Sequence, residues 1–189
     1  MRRRAVLVAT VLVLAVLAWW IRRPRPQAPL AFADGFDFPV GAPDGAGYYD
    51  AQPFGTNTHL GSDWNGVGGG DSDLGDPVTA IADGVVRLAE DLGGGWGNVV
   101  RIEHRLRDAG GERRVESLYA HLDRIDVTVG QRIRRGALVG TIGTAHGQYK
   151  AHLHLEVRDR PGLPLGPGYS HDTTGYLDPT ELIRARRAR

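Results

Sequence analysis

Turn residues interrupt this chain too often for long helices. Its 189 residues include 27 glycines and 11 prolines. The apolar stretches between them are short and alternate with polar residues at period two, the pattern of strands with one buried face. Such stretches fall at 36–40, 78–82, 84–89, 98–103, 115–122, 138–142 and 151–157. Pro39 confines the first to a sheet edge or ends it early. Asp83-Gly84 is a hairpin-turn signal. Residues 41–49, 66–76, 93–98, 143–150 and 161–168 read as loops rich in glycine, proline or acids, and 58–65 reads as a turn around Gly61. Asp178-Pro179 reads as an N-cap followed by proline at the first helical position, opening a helix over 180–187 whose arginines suit its C-terminal end. With 41% hydrophobic residues for a core, this pattern predicts an all-β or β-rich fold with a short C-terminal helix.

The N-terminus is different in kind. Met1-Arg2-Arg3-Arg4 precedes an uncharged apolar run from Ala5 to Ile21, closed by Arg22-Arg23-Pro24-Arg25-Pro26. A basic head before an apolar run is the pattern of a signal anchor or a signal peptide, and the run is at the short end of what spans a bilayer. We therefore expect residues 1–26 to be a signal anchor or signal peptide. An uncleaved anchor at 5–21 in the cytoplasmic membrane would leave the bulk of the chain exported, on the periplasmic or extracytoplasmic side. Residues 27–35 read as a linker. The leading segment carries six arginines and no acid. Of the 23 basic residues, 17 then face 22 acidic ones, so the formal +1 becomes −5 for the remainder. A nucleic-acid partner calls for a basic patch on the folded part, and none is expected. The chain has no cysteine, which excludes disulfides and thiolate metal sites. The glycine loop at 93–98 leads into a strand with no Lys-Ser/Thr after it, so it is not a phosphate loop. The glycine-acid loop at 66–76 lacks the acid spacing of a calcium loop and reads as a surface loop bordering the site.

Seven histidines remain to be placed. His152 and His154 are two apart in a strand-like stretch, so they share a face, with Leu153, Leu155 and Val157 turned to the core. His59 and Asp63, four apart around a turn, offer a nitrogen and an oxygen. A catalytic zinc keeps three protein ligands and one open position, and the clearest set is His59, Asp63 and one of His152 or His154. In the strand 118–122, Leu118, Ala120 and Leu122 mark the core face, which puts Tyr119 and His121 on the polar face. His104, His146 and His171 read as structural or surface residues, with the last two in loops that could border a groove.

Taken in order, His59-x-x-x-Asp63, Tyr119-Ala120-His121-Leu122 and His152-Leu153-His154 resemble the lysostaphin/LytM-type zinc endopeptidases. The likeness extends to Gly84-Val85-Val86, Gly97-Asn98-Val99-Val100, Val129-Gly130-Gln131 with Arg135-Gly136, and Ile142-Gly143, covering roughly residues 38–183. The resemblance implies that His59, Asp63 and His154 ligate Zn²⁺, and that His121 and His152 are the non-ligating catalytic pair. It implies an antiparallel sheet with a substrate groove, barrel-sandwich-like, over a zinc endopeptidase domain at 36–189. It also implies peptide stems or cross-links of peptidoglycan as substrate. The alternative is a non-catalytic peptidoglycan-binding or divisome-regulating module on the same fold. Ala145-His146, Lys150-Ala151 and Leu155 depart from the family pattern at the groove wall, which bears on substrate preference.

Overall fold

The computed structural model describes residues 29–187. The apolar run at 5–21 lies outside them, and no helix among the described residues is long and apolar enough to cross a membrane. Among the described residues, eleven strands and one α-helix follow in chain order: β1 (Tyr48–Gln52), β2 (Ser62–Gly66), β3 (Pro77–Thr79), β4 (Gly84–Asp91), β5 (Asn98–Asp108), β6 (Gly111–Leu122), β7 (Arg124–Ile125), β8 (Arg132–Ile133), β9 (Leu138–Thr141), β10 (Leu153–Arg158), β11 (Tyr176–Leu177) and α1 (Pro179–Arg186). The larger sheet runs β1-β2-β10-β6-β5-β4-β8, with β11 on β10, and a three-stranded sheet runs β3-β9-β7. All strand pairs are antiparallel. The β-rich antiparallel fold expected from the sequence is the one observed.

The core lies between the two sheets. Leu153, Leu155 and Val157 of β10 and Trp64 of β2 meet Val78, Val139 and Ile142, which is why the alternation in 151–157 is strict. Asp178 caps α1, its carboxylate accepting from the Glu181 N–H at 3.0 Å, and Pro179 opens the helix as expected. Ile183 buries the inner face of α1 against the core.

Three local expectations change. Residues 36–40 form no named strand, although Phe36, Phe38 and Val40 are buried. Two backbone bonds tie them to the β3 region, Asp37 N–H to the Ile81 carbonyl and Thr79 N–H to the Pro39 carbonyl, and Pro39 has no N–H to extend the ladder. Residues 48–52 and 62–66 pair as β1 and β2, although 48–49 read as loop and 62–65 as turn. Tyr119 is not on a polar face. It is fully buried in the main core, where its hydroxyl accepts from the Ile81 N–H at 2.9 Å. Leu118 and Ala120 instead join Val99 in a small cluster against Trp96. The alternation is broken between Tyr119 and Leu122, where β6 carries an extra residue opposite β5 and His121 takes a φ of 62°. A bulge of this kind re-aims the side chain that follows it.

His104 is fully buried. Its Nδ1–H donates to the Asp83 carbonyl at 2.9 Å, and Nε2 lies 2.8 Å from the Ser117 hydroxyl. Burial pushes this imidazole down to about 4, against the opposing pull of the Asp83 carbonyl. The unfolded chain binds the proton near 6.5 and the folded chain does not, so stability is full above about pH 6.5. It falls by up to about 1.4 kcal/mol per pH unit as pH drops towards 4. Urea unfolding at pH 7, 6 and 5 checks this: His104→Gln is expected to be less stable at pH 7 and to show a shallower loss towards pH 5.

Candidate metal centre

Asp63 of β2 stands directly opposite His154 of β10, so their side chains rise from the same face within about 5 Å of each other at Cβ. His59 reaches them from the turn before β2, held by a backbone bridge to Tyr169. The turn needs Gly61 because of the space around it. A Cβ there would lie 2.5 Å from the Leu155 carbonyl oxygen and 2.9 Å from His154 Cε1. The His59 Nδ1–H donates to the Gln52 carbonyl at 2.9 Å, which leaves Nε2 as a lone pair. That atom is 3.1 Å from His154 Nδ1 and 3.4 Å from Asp63 Oδ1, and the last two are 2.8 Å apart. His59, Asp63 and His154 form the group among the described residues that could hold a metal ion.

The donor set fits a small tetrahedral cation. Ligand atoms about 2.0–2.1 Å from zinc stand roughly 3.3 Å from one another, close to the three separations above. Two imidazole nitrogens and one carboxylate oxygen are a usual three-ligand set for a site with an open position. Electrostatics point the same way. Burial opposes ionisation of Asp63, but the His154 and His59 imidazoles beside it outweigh that and hold the carboxyl far below the usual range. Burial would lower His154, yet Asp63 and Glu156 together raise it to about 9. A site that draws a proton this strongly onto a buried ring draws other cations too.

Behind His154 lies a layer that the sequence reading missed. Glu156 and Arg158 continue the alternation of β10 on the face of His154, and both are fully buried. The Nε2 of His154 faces Glu156 Oε1 at 3.4 Å, so the ring is gripped by carboxylates on both nitrogens. Arg158 donates to Glu156 Oε2 from Nε at 3.1 Å and Nη2 at 2.8 Å. It also reaches Glu116 Oε1 at 3.5 Å, which Arg101 Nε meets at 2.7 Å. The signal was present in the period-two pattern, which places His154, Glu156 and Arg158 in one row.

His121 and His152 stand on the open side. Their ring centroids are 4.8 Å apart, and His121 is 5.4 Å from the His154 ring. His121 is bound twice by the Trp96 carbonyl, through its backbone N–H at 3.0 Å and its Nδ1–H at 3.3 Å. Burial, then the neighbouring imidazoles, push it down to about 3, so it is neutral. His152 donates from Nδ1 to the Lys150 carbonyl at 2.8 Å, and its Nε2 lies 3.8 Å from Asp63 Oδ1. The cleft they share, about 370 Å³, is walled by Gln52, Trp96, Tyr149 and Tyr169. Gln52 ends β1, while Trp96, Tyr149 and Tyr169 lie outside the strands, where spacing carries no signal. Of the other histidines, His104 is in the core, and His146 is exposed beside Asp91 at 3.1 Å.

The sequence profile of peptidase family M23 matches residues 59–167, which contain His59, Asp63, His121, His152 and His154 and make up more than half the chain. The chain belongs to peptidase family M23. Over 114 residues it is 37% identical to the DD-carboxypeptidase/endopeptidase Mpg of Neisseria meningitidis, covering 60% of this chain and 23% of that protein. Over 104 residues it is 38% identical to the murein hydrolase activator EnvC of Escherichia coli, covering 55% of this chain and 22% of that protein. The chain thus spans under a quarter of the length of these relatives. The catalytic domain of the prophage-encoded M23 protein EnpA from Enterococcus faecalis shares the fold, with a TM-score of 0.52 at 20% identity over 77% of this chain and 95% of that one.

Proposed function

We propose that this chain is a zinc-dependent endopeptidase that hydrolyses peptide bonds in peptidoglycan stems or cross-links. The observation that carries the reading is the set of three ligand atoms, 2.8–3.4 Å apart, beside two further imidazoles in one cleft. His59 Nε2, Asp63 Oδ1 and His154 Nδ1 would hold the metal. Bound there, zinc supplies a Lewis acid and acidifies a water.

The chain's own residues do the rest. Glu156 holds the His154 Nε2–H, which fixes that ring with Nδ1 as the ligating atom. His121 and His152 each have Nδ1–H engaged by a carbonyl, so each presents Nε2 as a proton acceptor. A proton taken up at one of these atoms from the attacking water is available to the departing amine. Trp96, Tyr149 and Tyr169 give the cleft aromatic walls along which a peptide can lie. The substrate class rests on the family and on the names of the relatives above. The leading apolar run supports export and attachment to the cytoplasmic membrane through residues 5–21.

Purified full chain is expected to carry one zinc per chain and to release free amines from purified peptidoglycan. A chelator should stop release, and added zinc should restore it. The likeness to a murein hydrolase activator supports a second reading, regulation without hydrolysis. Zinc-loaded chain that releases no amine would replace the first reading with the second.

A further inference from the structure

The loop 66–76 is longer than a turn between β2 and β3 needs, and it is well anchored. Asp73 is buried and accepts the Gly66 N–H at 2.8 Å, while the Gly75 N–H donates to the Ile142 carbonyl and the Ile142 N–H to the Asp76 carbonyl. This frame carries Asp71 to the backbone just ahead of His152. Asp71 Oδ1 accepts the Ala151 N–H at 2.8 Å, eighty residues away in the chain. The other end of the same peptide unit is the Lys150 carbonyl, which accepts the His152 Nδ1–H at 2.8 Å. One peptide therefore joins a carboxylate to an imidazole. The next peptide is held as well: Asn65 Nδ2 donates to the Ala151 carbonyl at 3.1 Å, and the His152 N–H donates to the Gly143 carbonyl at 3.2 Å.

We propose that Asp71 is a positioning residue for His152, acting through the 150–151 peptide to fix the ring's orientation and its Nδ1–H tautomer. The inference rests on the functional reading above, in which His152 presents Nε2 to the substrate side. Hydrogen bonds to an ionised acceptor are roughly twice as strong as neutral ones, and bonds in a chain strengthen one another. The carboxylate thus stiffens the peptide plane, and the plane sets the direction of the carbonyl lone pair that holds the ring. Asp71 touches neither the metal-binding group nor the cleft, so its effect reaches chemistry only through His152.

The test uses zinc-loaded full chain and purified peptidoglycan. Asp71→Ala is expected to lower kcat about tenfold, with KM within twofold and zinc still at one per chain. Asp71→Asn keeps an oxygen acceptor for the Ala151 N–H and is expected to recover most of the loss. In the His152→Ala background, Asp71→Ala is expected to add no further loss, since residues that act as one unit are not additive. The ¹⁵N NMR signature of the His152 ring in zinc-loaded chain gives a readout independent of turnover. It should show Nδ1 protonated and Nε2 bare in the parent and in Asp71→Asn, and a mixture of tautomers in Asp71→Ala. An unchanged His152 signature in Asp71→Ala overturns the proposal, as does an equal fractional loss with His152 already removed. If His152→Ala alone keeps full activity, the catalytic reading of His152 falls, while the NMR comparison still decides whether Asp71 sets the ring. Should Asp71→Ala fold poorly, Asp71→Ser, which shortens the side chain away from Ala151, replaces it.

Discussion

Replacing His154 with alanine is expected to abolish zinc binding and turnover together, whereas His152→Ala is expected to keep the zinc and lose turnover. The two residues are neighbours of the same type on one strand face, and the difference lies in their partners. His154 is buried between Asp63 and Glu156, and its Nδ1 is one of the three converging ligand atoms. Removing it leaves two ligands and takes from Glu156 Oε1 its imidazole partner, while Oε2 keeps Arg158. His152 turns its Nδ1–H to a backbone carbonyl and sits at the edge of the group, its Nε2 3.8 Å from Asp63. Loss of a group that transfers protons costs about 10²–10⁴-fold in rate, so His152→Ala should fall by that factor at unchanged zinc content. For His154→Ala, activity should drop below detection, and metal analysis of the purified variant should find well under one zinc per chain. Zinc lost from His152→Ala and retained by His154→Ala would reverse the assignment.

The pairing behind that contrast was only partly legible in the sequence. Strict alternation over 151–157 identified a strand and put His152 and His154 on one face, and the structure places both in the cleft. Alternation says nothing about which strand lies alongside. The register that sets Asp63 opposite His154 joins residues 91 apart, and it became visible only through the resemblance of the three motifs taken together. Strand β2 itself was hidden because Gly61 and the glycines after Asn65 read as a turn. The tight glycine is there for the approach of Gly61 to Leu155 and His154, and the strand begins one residue later. The reading of β6 failed for a related reason. Period two assigns Tyr119 and His121 to one face, and a single extra residue with positive φ at His121 sends the two side chains apart. A bulge is set by the partner strand, so local spacing cannot report it. Helix α1, in contrast, was marked by its own cap and proline, features that need no distant partner.

Arg158→Met is expected to be among the most destabilising single changes in the chain, although Arg158 contacts neither the cleft nor the three ligand atoms. Arg158 and Glu156 are fully buried and Glu116 is nearly so. The arginine lies between the two carboxylates, within 2.8 Å of Glu156 and 3.5 Å of Glu116. It also donates to the Leu163 carbonyl at 3.2 Å, fastening the loop that leads to Tyr169. A buried ion pair is not in itself strongly stabilising, but removing one partner leaves a buried charge uncompensated, at a cost of about 3–5 kcal/mol. For a domain of this size that corresponds to roughly 10 °C in Tm. Glu156→Gln separates the two roles of the layer. It keeps an oxygen for the His154 Nε2–H while removing the charge, so zinc affinity should weaken by about 10–100-fold, the usual effect of altering a partner of a metal-ligating histidine. Combining Glu156→Gln with Arg158→Met removes an anion together with its cation, and the pair should recover much of the stability lost by Arg158→Met alone, because residues in one network couple. Thermal melts of the three variants, with and without zinc, check the argument. An Arg158→Met chain within about 1 kcal/mol of the parent would mean that solvent reaches Glu156, and that the second grip on His154 is not a charge held in the dry interior.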